Sequence, residues 1–243
     1  MITSKQNPIF KKLKKLKLKK YRDLYQQFLI YGDHLIEQAE QAQNNNKNNF
    51  FIEIYTSSYT KKGIFIAPEL MKELSQTKTV FDQIALCQFT LSPKLDLIHN
   101  KILVLEDIQD PANLGALMRS AVAFGFNQIF LSFHSADFYH EKTIRTSQGS
   151  LFNLVLQRGQ IKIFLEQAKQ KGYQVFITLP HQKANISFEK TKSYLKKILI
   201  LGNEGSGISF PVITLADYCL NIKTQQVESL NVAVAGSILM YLL

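Results

Sequence analysis

The chain has 243 residues, 46% of them hydrophobic, with Lys+Arg 29 against Asp+Glu 19 and a formal net charge of +10. That length is comfortable for two domains, and the basic excess points to a polyanionic partner such as nucleic acid or an anionic membrane surface. Cys87 and Cys219, far apart and without metal-ligand spacing, argue against a disulfide framework or a zinc site, and the apolar run Val232 to Leu243 is shorter than the ~20 residues that span a bilayer. With no targeting segment visible, a soluble protein in a reducing, cytoplasmic setting is expected, with no metal and no membrane partner.

The charge is unevenly placed. Nine basic residues (Lys5, Lys11, Lys12, Lys14, Lys15, Lys17, Lys19, Lys20 and Arg22) and no acidic one lie between Met1 and Arg22. Asn7-Pro8 reads as a helix start, with Asn as cap and Pro at the first helical position, and Ile9, Leu13, Leu16, Leu24 and Phe28 recur at roughly helical spacing. Lysines unrelieved by acids repel one another unless an anion screens them, and an RNA or DNA backbone would supply it through Lys5, Lys11, Lys12, Lys14 and Lys15. A solvated basic surface is the plain alternative. Phe28 to Tyr31 reads as a strand, Gly32-Asp33 turns into a helix, and Gln41 to Asn49 is an Asn-rich loop. Phe50 to Tyr55 is a strand, Pro68 opens a helix through Leu74, and Ile84 to Phe89 is a strand before a Ser92-Pro93 break. These alternations predict a small α/β domain over residues 1–94. Tyr21, Tyr25, Phe28 and Tyr31 suit either a core or a base-stacking surface.

From residue 95 onward the pattern is strand, loop, helix, repeated. Ile102 to Leu105 is a strand, Glu106 to Asn113 an irregular loop, and Leu114 to Phe124 a helix closed by Gly125. Gln128 to Leu131, Asn153 to Leu156, Tyr173 to Thr178 and Ile198 to Leu201 follow as strands, with helices over Glu141 to Gln148 and Ile161 to Lys171. Apolar runs each followed by a helix predict a parallel sheet covered on both faces, with ligands at the carboxyl ends of its strands. At one such end, Gly202-Asn203-Glu204-Gly205-Ser206-Gly207 suits a tight turn, a close backbone approach to a ligand, or a nest of N-H groups. Its G-x-x-G-x-G spacing is neither a dinucleotide fingerprint nor a P-loop. Glu106-Asp107 is better read as loop capping than as a metal pair. The five histidines show no ligand or triad spacing.

The C-terminal stretch Asn221 to Leu243 is polar and then apolar. A helix starting near Glu228 would carry Ser229 and Asn231 in its first turn, either as caps of a core helix or as a site.

Read together, Asp107 to Gly125 (with Asp-Pro-Ala-Asn-Leu-Gly-Ala-Leu-Met-Arg-Ser-Ala), Leu201 to Ser209 (Leu-Gly-Asn-Glu-Gly-Ser-Gly-Ile-Ser) and Val227 to Ala235 (Val-Glu-Ser-Leu-Asn-Val-Ala-Val-Ala) resemble the three ordered motifs of the SpoU/TrmH family. That family belongs to the SPOUT class of RNA ribose 2′-O-methyltransferases. The resemblance covers roughly residues 101 to 243, and the basic first domain is similar to the family's L30e-like RNA-binding extension. It implies a Rossmann-like parallel-sheet domain with a C-terminal trefoil knot over residues 95–243, a homodimer, and S-adenosylmethionine as cofactor. The methyl donor would contact Thr178, Leu179, Leu201, Gly202, Asn203, Gly205, Ile222 and Leu230, largely through backbone. Arg119, Glu204, Ser229 and Asn231 fall on the family's catalytic positions, with Asn113 beside them. The family proposal makes Arg119 the base. Arginine is a poor base, so the expectation is that Arg119 stabilises the developing alkoxide, oriented by Ser229 and Asn231, with Glu204 holding the network. Lys223-Thr224-Gln225-Gln226 departs from the family, which often has Pro and Gly there. The implied substrate is RNA, ribosomal 23S RNA favoured by the N-terminal extension; a tRNA 2′-O-methyltransferase and a non-catalytic RNA-binding or ribosome-assembly protein are the alternatives.

Overall fold

The computed structural model describes residues 1–46, 50–76, 79–89, 97, 99–179, 184–227 and 229–243, with the side chains of 45 and 46 left out. Residues 47–49, the Ser92-Pro93 break with the 94/95 boundary, His181 and Glu228 lie outside the described residues. Two expectations are corrected: Gln41 to Asn46, expected in a loop, continues the helix that begins at Asp33, and the last helix starts at Val232, not near Glu228, so Ser229 and Asn231 precede it, Asn231 as its cap.

In chain order the first elements are α1 (Pro8–Lys15), α2 (Lys19–Tyr25), β1 (Gln27–Tyr31), α3 (Asp33–Asn46), β2 (Phe51–Thr56), β3 (Ile64–Phe65), α4 (Pro68–Leu74) and β4 (Gln83–Gln88). Then come β5 (Lys101–Leu105), α5 (Pro111–Ala123), β6 (Gln128–Leu131), α6 (Glu141–Ser147), β7 (Val155–Arg158), α7 (Ile161–Gln170) and β8 (Gln174–Thr178). The last are α8 (Phe188–Thr191), β9 (Lys197–Leu201), α9 (Phe210–Ile213), β10 (Tyr218–Leu220) and α10 (Val232–Leu242).

Two compact units result, Met1–Thr90 with Asp137–Asn153, and Leu91–Ala136 with Leu154–Leu243. The first holds a four-stranded sheet in the order β1-β4-β2-β3, antiparallel except for the β2/β3 pair. Asn7 caps α1 as expected, its Oδ1 accepting from the N-H of Ile9 and Phe10. The single helical stripe expected across Ile9, Leu13, Leu16, Leu24 and Phe28 is interrupted: α1 stops at Lys15, and α2 ends at Tyr25, before Phe28, capped by Gln26 with a left-handed φ of 54°. Ile9 and Leu24 are exposed, while Phe10, Leu13 and Leu16 pack with Ile66, Leu70, Met71 and Leu74. Phe28 and Tyr31 are core, and burial pushes the Tyr31 hydroxyl up to about 12.

Arg22 is buried and takes no part in the basic surface. It donates to Asp137 Oδ2 (2.7 and 3.1 Å) and to the carbonyls of Leu16 and Lys17 (3.0 and 2.8 Å), closing the end of α1. A buried guanidinium needs that full set of acceptors. The same contacts explain a difference from the sequence reading: Asp137–Asn153, expected in the second domain, packs with the first unit. Its Tyr139 ring lies 4.5 Å from Phe28 and 3.9 Å from Phe89, and Phe152 lies 5.4 Å from Phe50.

The second unit is a six-stranded sheet in the order β10-β8-β9-β5-β6-β7, parallel at every pairing, as the apolar strand runs predict. Ile102, Val104, Val175, Ile177, Ile198 and Ile200 face one side, packing with Phe164 and Leu165 of α7. Leu201 has the opposite parity and lies under α10: a Cβ placed on Gly236 would sit 2.5 Å from Leu201 Cδ1 and 2.5 Å from Leu117 Cδ2 of α5. The absent side chain therefore sets how closely α10 approaches β9 and α5. No helix among the described residues is long and apolar enough to cross a membrane.

Candidate active site

Parallel pairing puts the carboxyl ends of β10, β8, β9 and β5 on one edge, with Leu220 opposite Thr178, Ile177 opposite Ile200, and Leu201 opposite Leu105. The chain runs outward from β5 through β6 and β7, then returns on the other side of β5 through β8 and β9. The sheet thus reverses its strand order between β5 and β9, the place where open α/β sheets form a ligand crevice.

The loop leaving β9 is closely folded. A Cβ on Gly202 would lie 2.3 Å from both the C and O of Gly207, so no other residue fits there. Asn203 and Gly207 exchange backbone hydrogen bonds at 3.0 and 2.9 Å. Asn203 Oδ1 accepts from the N-H of Gly205 (2.8 Å) and Ser206 (2.9 Å), and its Nδ2 donates to Asp107 O (2.9 Å). Of the readings offered by the sequence this is the tight turn, and two N-H groups that a nest would present, those of Gly205 and Ser206, are used inside it. Glu106 anchors the far end, accepting from Ser209 N (2.9 Å) and Oγ (2.7 Å), while Asp107 accepts from Ser132 Oγ (2.6 Å). The two carboxylates anchor the loop.

Helix α5 begins earlier than the sequence reading placed it. Asp110 caps it, Oδ1 accepting from Ala112 N at 3.0 Å, with Pro111 at the first position. Asn113, expected ahead of the helix, stands inside its first turn. From there its Nδ2 donates to Glu204 Oε1 (2.8 Å), and its Oδ1 accepts from Asn231 Nδ2 (3.1 Å). Asn231 Oδ1 in turn accepts from Ala233 N (2.9 Å) and Val234 N (3.3 Å), capping α10. Cap and site, alternatives in the sequence, are here one residue. Further along the two helices, Ser120 Oγ and Ser237 Oγ are 2.7 Å apart, so Asn113, Leu117 and Ser120 form the face of α5 toward α10.

Three candidate residues, Asn113, Glu204 and Asn231, are thus brought together from three distant stretches. Arg119 is on α5 but turned off that face; it is exposed and has no hydrogen-bond or ion-pair partner among the described residues. Ser229 is also exposed. The expected orienting of Arg119 by Ser229 and Asn231 is not made within this chain, because the Asn231 amide is committed to Asn113 and to its own helix.

Of the expected cofactor contacts, Leu201 is buried, Thr178, Leu179, Gly202, Asn203, Ile222 and Leu230 are half-buried, and Gly205 is exposed. Thr178-Leu179, Leu201-Gly202 and Leu220 to Ile222 leave neighbouring strands side by side. None of these side chains is charged, so the edge offers backbone amides and apolar surface, a donor set suited to the uncharged adenosine part of S-adenosylmethionine. Burial pushes the nearby Cys219 thiol up, away from nucleophile chemistry.

The basic face belongs to the first unit. Lys5 and Lys14 both pair with Glu73, Lys14 at 2.9 Å, and together they pull that carboxyl down to about 2. Lys11 donates to Gln6 Oε1 (2.5 Å), and Lys17 to the carbonyls of Glu73 (2.5 Å) and Ser75 (2.8 Å). Lys12 and Lys15 instead lie over tyrosine rings. Lys20, counted among the nine basic residues but not among the expected RNA contacts, also lies over the Tyr21 ring.

Comparison with known proteins gives a consistent result. Residues 100–241 match the model of the SpoU rRNA Methylase family, and residues 7–85 that of an MRM3-like substrate binding domain. The chain is 32% identical to the 23S rRNA (guanosine(2553)-2'-O)-methyltransferase RlmP of Bacillus subtilis (strain 168) over 99% of its length and 97% of that protein. Among solved structures it is similar to an AdoMet-bound rRNA methyltransferase from Sinorhizobium meliloti, with a TM-score of 0.85 at 23% identity, covering 99% of this chain and 95% of that one. An RNA 2'-O ribose methyltransferase structure aligns with a TM-score of 0.79 at 27% identity, over 99% of this chain and 96% of the other.

Proposed function

The chain belongs to the SpoU rRNA Methylase family, and we propose that it transfers a methyl group from S-adenosylmethionine to a ribose 2′-oxygen of ribosomal RNA, with 23S RNA as substrate. The observation that carries this reading is the Asn113, Glu204 and Asn231 cluster, set at the carboxyl edge of the sheet beside the Gly202 turn. The similarity to RlmP extends over both units, including the basic N-terminal one, which favours a ribosomal over a transfer RNA substrate.

When bound, S-adenosylmethionine supplies a methyl carbon on a positively charged sulfur. The 2′-hydroxyl would give up its proton to solvent as its oxygen takes the methyl carbon, and the sulfur would leave as a neutral thioether; joining the developing alkoxide to the sulfonium would cancel charge, which a water-poor site favours. The buried Leu201 and the half-buried Leu179, Ile222 and Leu230 keep that edge apolar. Arg119, whose guanidinium has no hydrogen-bond or ion-pair partner among the described residues, stabilises the developing alkoxide and an adjacent phosphate. Asn113 keeps Glu204 and the start of α10 in register, acting as a positioning residue for the loop around Gly202. Ser229, exposed at the entry to α10, is available to the ribose.

The same reading carries a trefoil knot, with the C-terminal helix tucked through a preceding loop, and a homodimer through the C-terminal domain. Supporting the dimer, Val234 is 50% and Tyr241 73% exposed on a helix otherwise rich in buried apolar residues. A cytoplasmic site of action agrees with the two free, buried cysteines.

The reading is tested by calorimetric titration of S-adenosylmethionine into the full chain and by mapping ribose methylation of ribosomal RNA in cells lacking the protein. Saturable binding together with one missing 2′-O-methyl mark is expected. No binding and an unchanged methylation map would leave an RNA-binding protein without catalysis.

A further inference from the structure

Of the nine basic residues before Asp23, six are engaged. Arg22 is buried on Asp137, Lys5 and Lys14 are held by Glu73, Lys17 by two carbonyls, Lys19 by Asp23, and Lys11 by Gln6. The remaining three, Lys12, Lys15 and Lys20, have no carboxylate or carbonyl partner among the described residues, and all three gather at one place. Lys12 lies 5.4 Å from the Tyr25 ring centroid, and Lys15 and Lys20 lie 5.4 and 6.0 Å from that of Tyr21. Tyr21 and Tyr25, one turn apart on α2, hold their rings within 18° of parallel with centroids 6.2 Å apart. Both are half-buried, and Leu18 (60%) and Leu24 (65%) stand exposed on either side.

We propose that Tyr21 and Tyr25 form a stacking platform for an unpaired base of the RNA substrate, with Lys12, Lys15 and Lys20 gripping the phosphates on either side of it. The proposal rests on the RNA reading above and adds to it which nucleotides the basic unit recognises: single-stranded ones. Duplex recognition needs only cations spaced along a backbone, whereas half-exposed, near-parallel tyrosine rings flanked by lysine suit a splayed base. An exposed ammonium over a ring is held weakly, by about 0.5–1 kcal/mol. Base stacking on an aromatic side chain contributes about 1–3 kcal/mol. The base therefore displaces the ammonium, and the long lysine side chain swings to a phosphate of the same strand. With seven residues, and Leu18 and Leu24 as its exposed aliphatic side chains, α2 offers little apolar surface for membrane insertion.

The test uses the full chain, a single-stranded RNA oligonucleotide carrying 2-aminopurine, and an RNA duplex of equal length. Tyr21→Leu, at a ring that is not part of the core beneath, is expected to weaken single-strand affinity about tenfold. It should abolish the change in 2-aminopurine fluorescence, leave duplex affinity and the salt slope unchanged, and be reversed by Tyr21→Phe. Replacing Lys12, Lys15 and Lys20 by Ala is expected to reduce the slope of log K against log salt by roughly 2, at about 0.7 per single-strand phosphate. Equal single-strand binding by the wild type and Tyr21→Leu overturns the platform and leaves the RNA reading intact. Equal losses on single strand and duplex also overturn it, as a packing effect. If the wild type binds neither RNA in a salt-dependent way, or prefers anionic vesicles, the RNA reading falls and the platform with it.

Discussion

Asn113 and Glu204, 91 residues apart in the chain, are joined by one hydrogen bond of 2.8 Å in which the amide donates and the carboxylate accepts. Asn113→Asp removes the donor and sets two carboxylates against each other, at a cost of about 1–3 kcal/mol in the position of the Gly202 loop. S-adenosylmethionine affinity and methyl transfer should fall about tenfold, since each 1.4 kcal/mol is a factor of ten. Adding Glu204→Gln restores a donor-acceptor pair with the roles exchanged, so the double variant should recover most of the loss. A double-mutant cycle in calorimetry and turnover checks this; strictly additive effects would show that the two residues do not act together.

Gly202 and Gly236 make a second, differential prediction. A methyl group at Gly202 runs into backbone atoms at 2.3 Å, which cannot rotate away, whereas at Gly236 it meets the tips of Leu117 and Leu201 at 2.5 Å. Gly202→Ala should cost about 1–3 kcal/mol of stability and displace the β9 loop. At Gly236 the overpacking is partly offset by the ~1 kcal/mol gain in helix propensity of Ala over Gly. Urea denaturation should therefore rank Gly202→Ala as the more destabilised, and it alone should lose cofactor affinity; the reverse order would mean the loop is looser than its contacts indicate.

These two sites show what local pattern can and cannot reveal. The parallel sheet was legible because each strand is a short apolar run with a helix behind it, and Asn231 because a side-chain amide ahead of an apolar run is a cap. What was hidden is non-local. Arg22 meets Asp137, 115 residues away, where Asp137–Asn153 packs with the first unit, and the same guanidinium takes the Leu16 and Lys17 carbonyls at the break between α1 and α2. The inward use of the Gly205 and Ser206 N-H groups depends on the Asn203 rotamer, which glycine spacing does not specify.

Glu73 predicts a pH dependence. Its carboxyl lies near 2 rather than 4.5 because Lys5 and Lys14 hydrogen-bond the charged form. A depressed folded-state value means the unfolded chain binds this proton more tightly, so the stabilisation is present above about 4.5 and is lost as pH falls toward 2. Wild type should exceed Glu73→Gln in thermal stability at pH 7, with the gap closing by pH ~2 and narrowing in 1 M salt, because both lysine partners are exposed to solvent ions. A gap independent of both pH and salt would assign the Glu73 effect to packing instead.

The exposed apolar residues of α10 predict an assembly. Val234→Asp with Tyr241→Glu changes two positions that are open to solvent in the single chain, so folding should survive. Light scattering should give a dimer mass for the wild type and a monomer mass for the double variant. A variant that remains dimeric would place the interface elsewhere.

Arg119 gives the sharpest separation of catalysis from folding. It is exposed and has no hydrogen-bond or ion-pair partner among the described residues, so Arg119→Ala should leave stability within about 0.5 kcal/mol of the wild type. If its guanidinium meets the developing alkoxide, single-turnover methylation should fall about 10²–10³-fold, the usual cost of removing one such donor. S-adenosylmethionine affinity, set by the uncharged strand edge, should not change. Arg119→Lys keeps the charge but loses the planar fork, so it should recover only part of the rate, chiefly through the phosphate contact. A full-rate Lys variant would reduce the role of Arg119 to that of a point charge. A slow Ala variant with weakened cofactor binding would instead move Arg119 to the cofactor pocket.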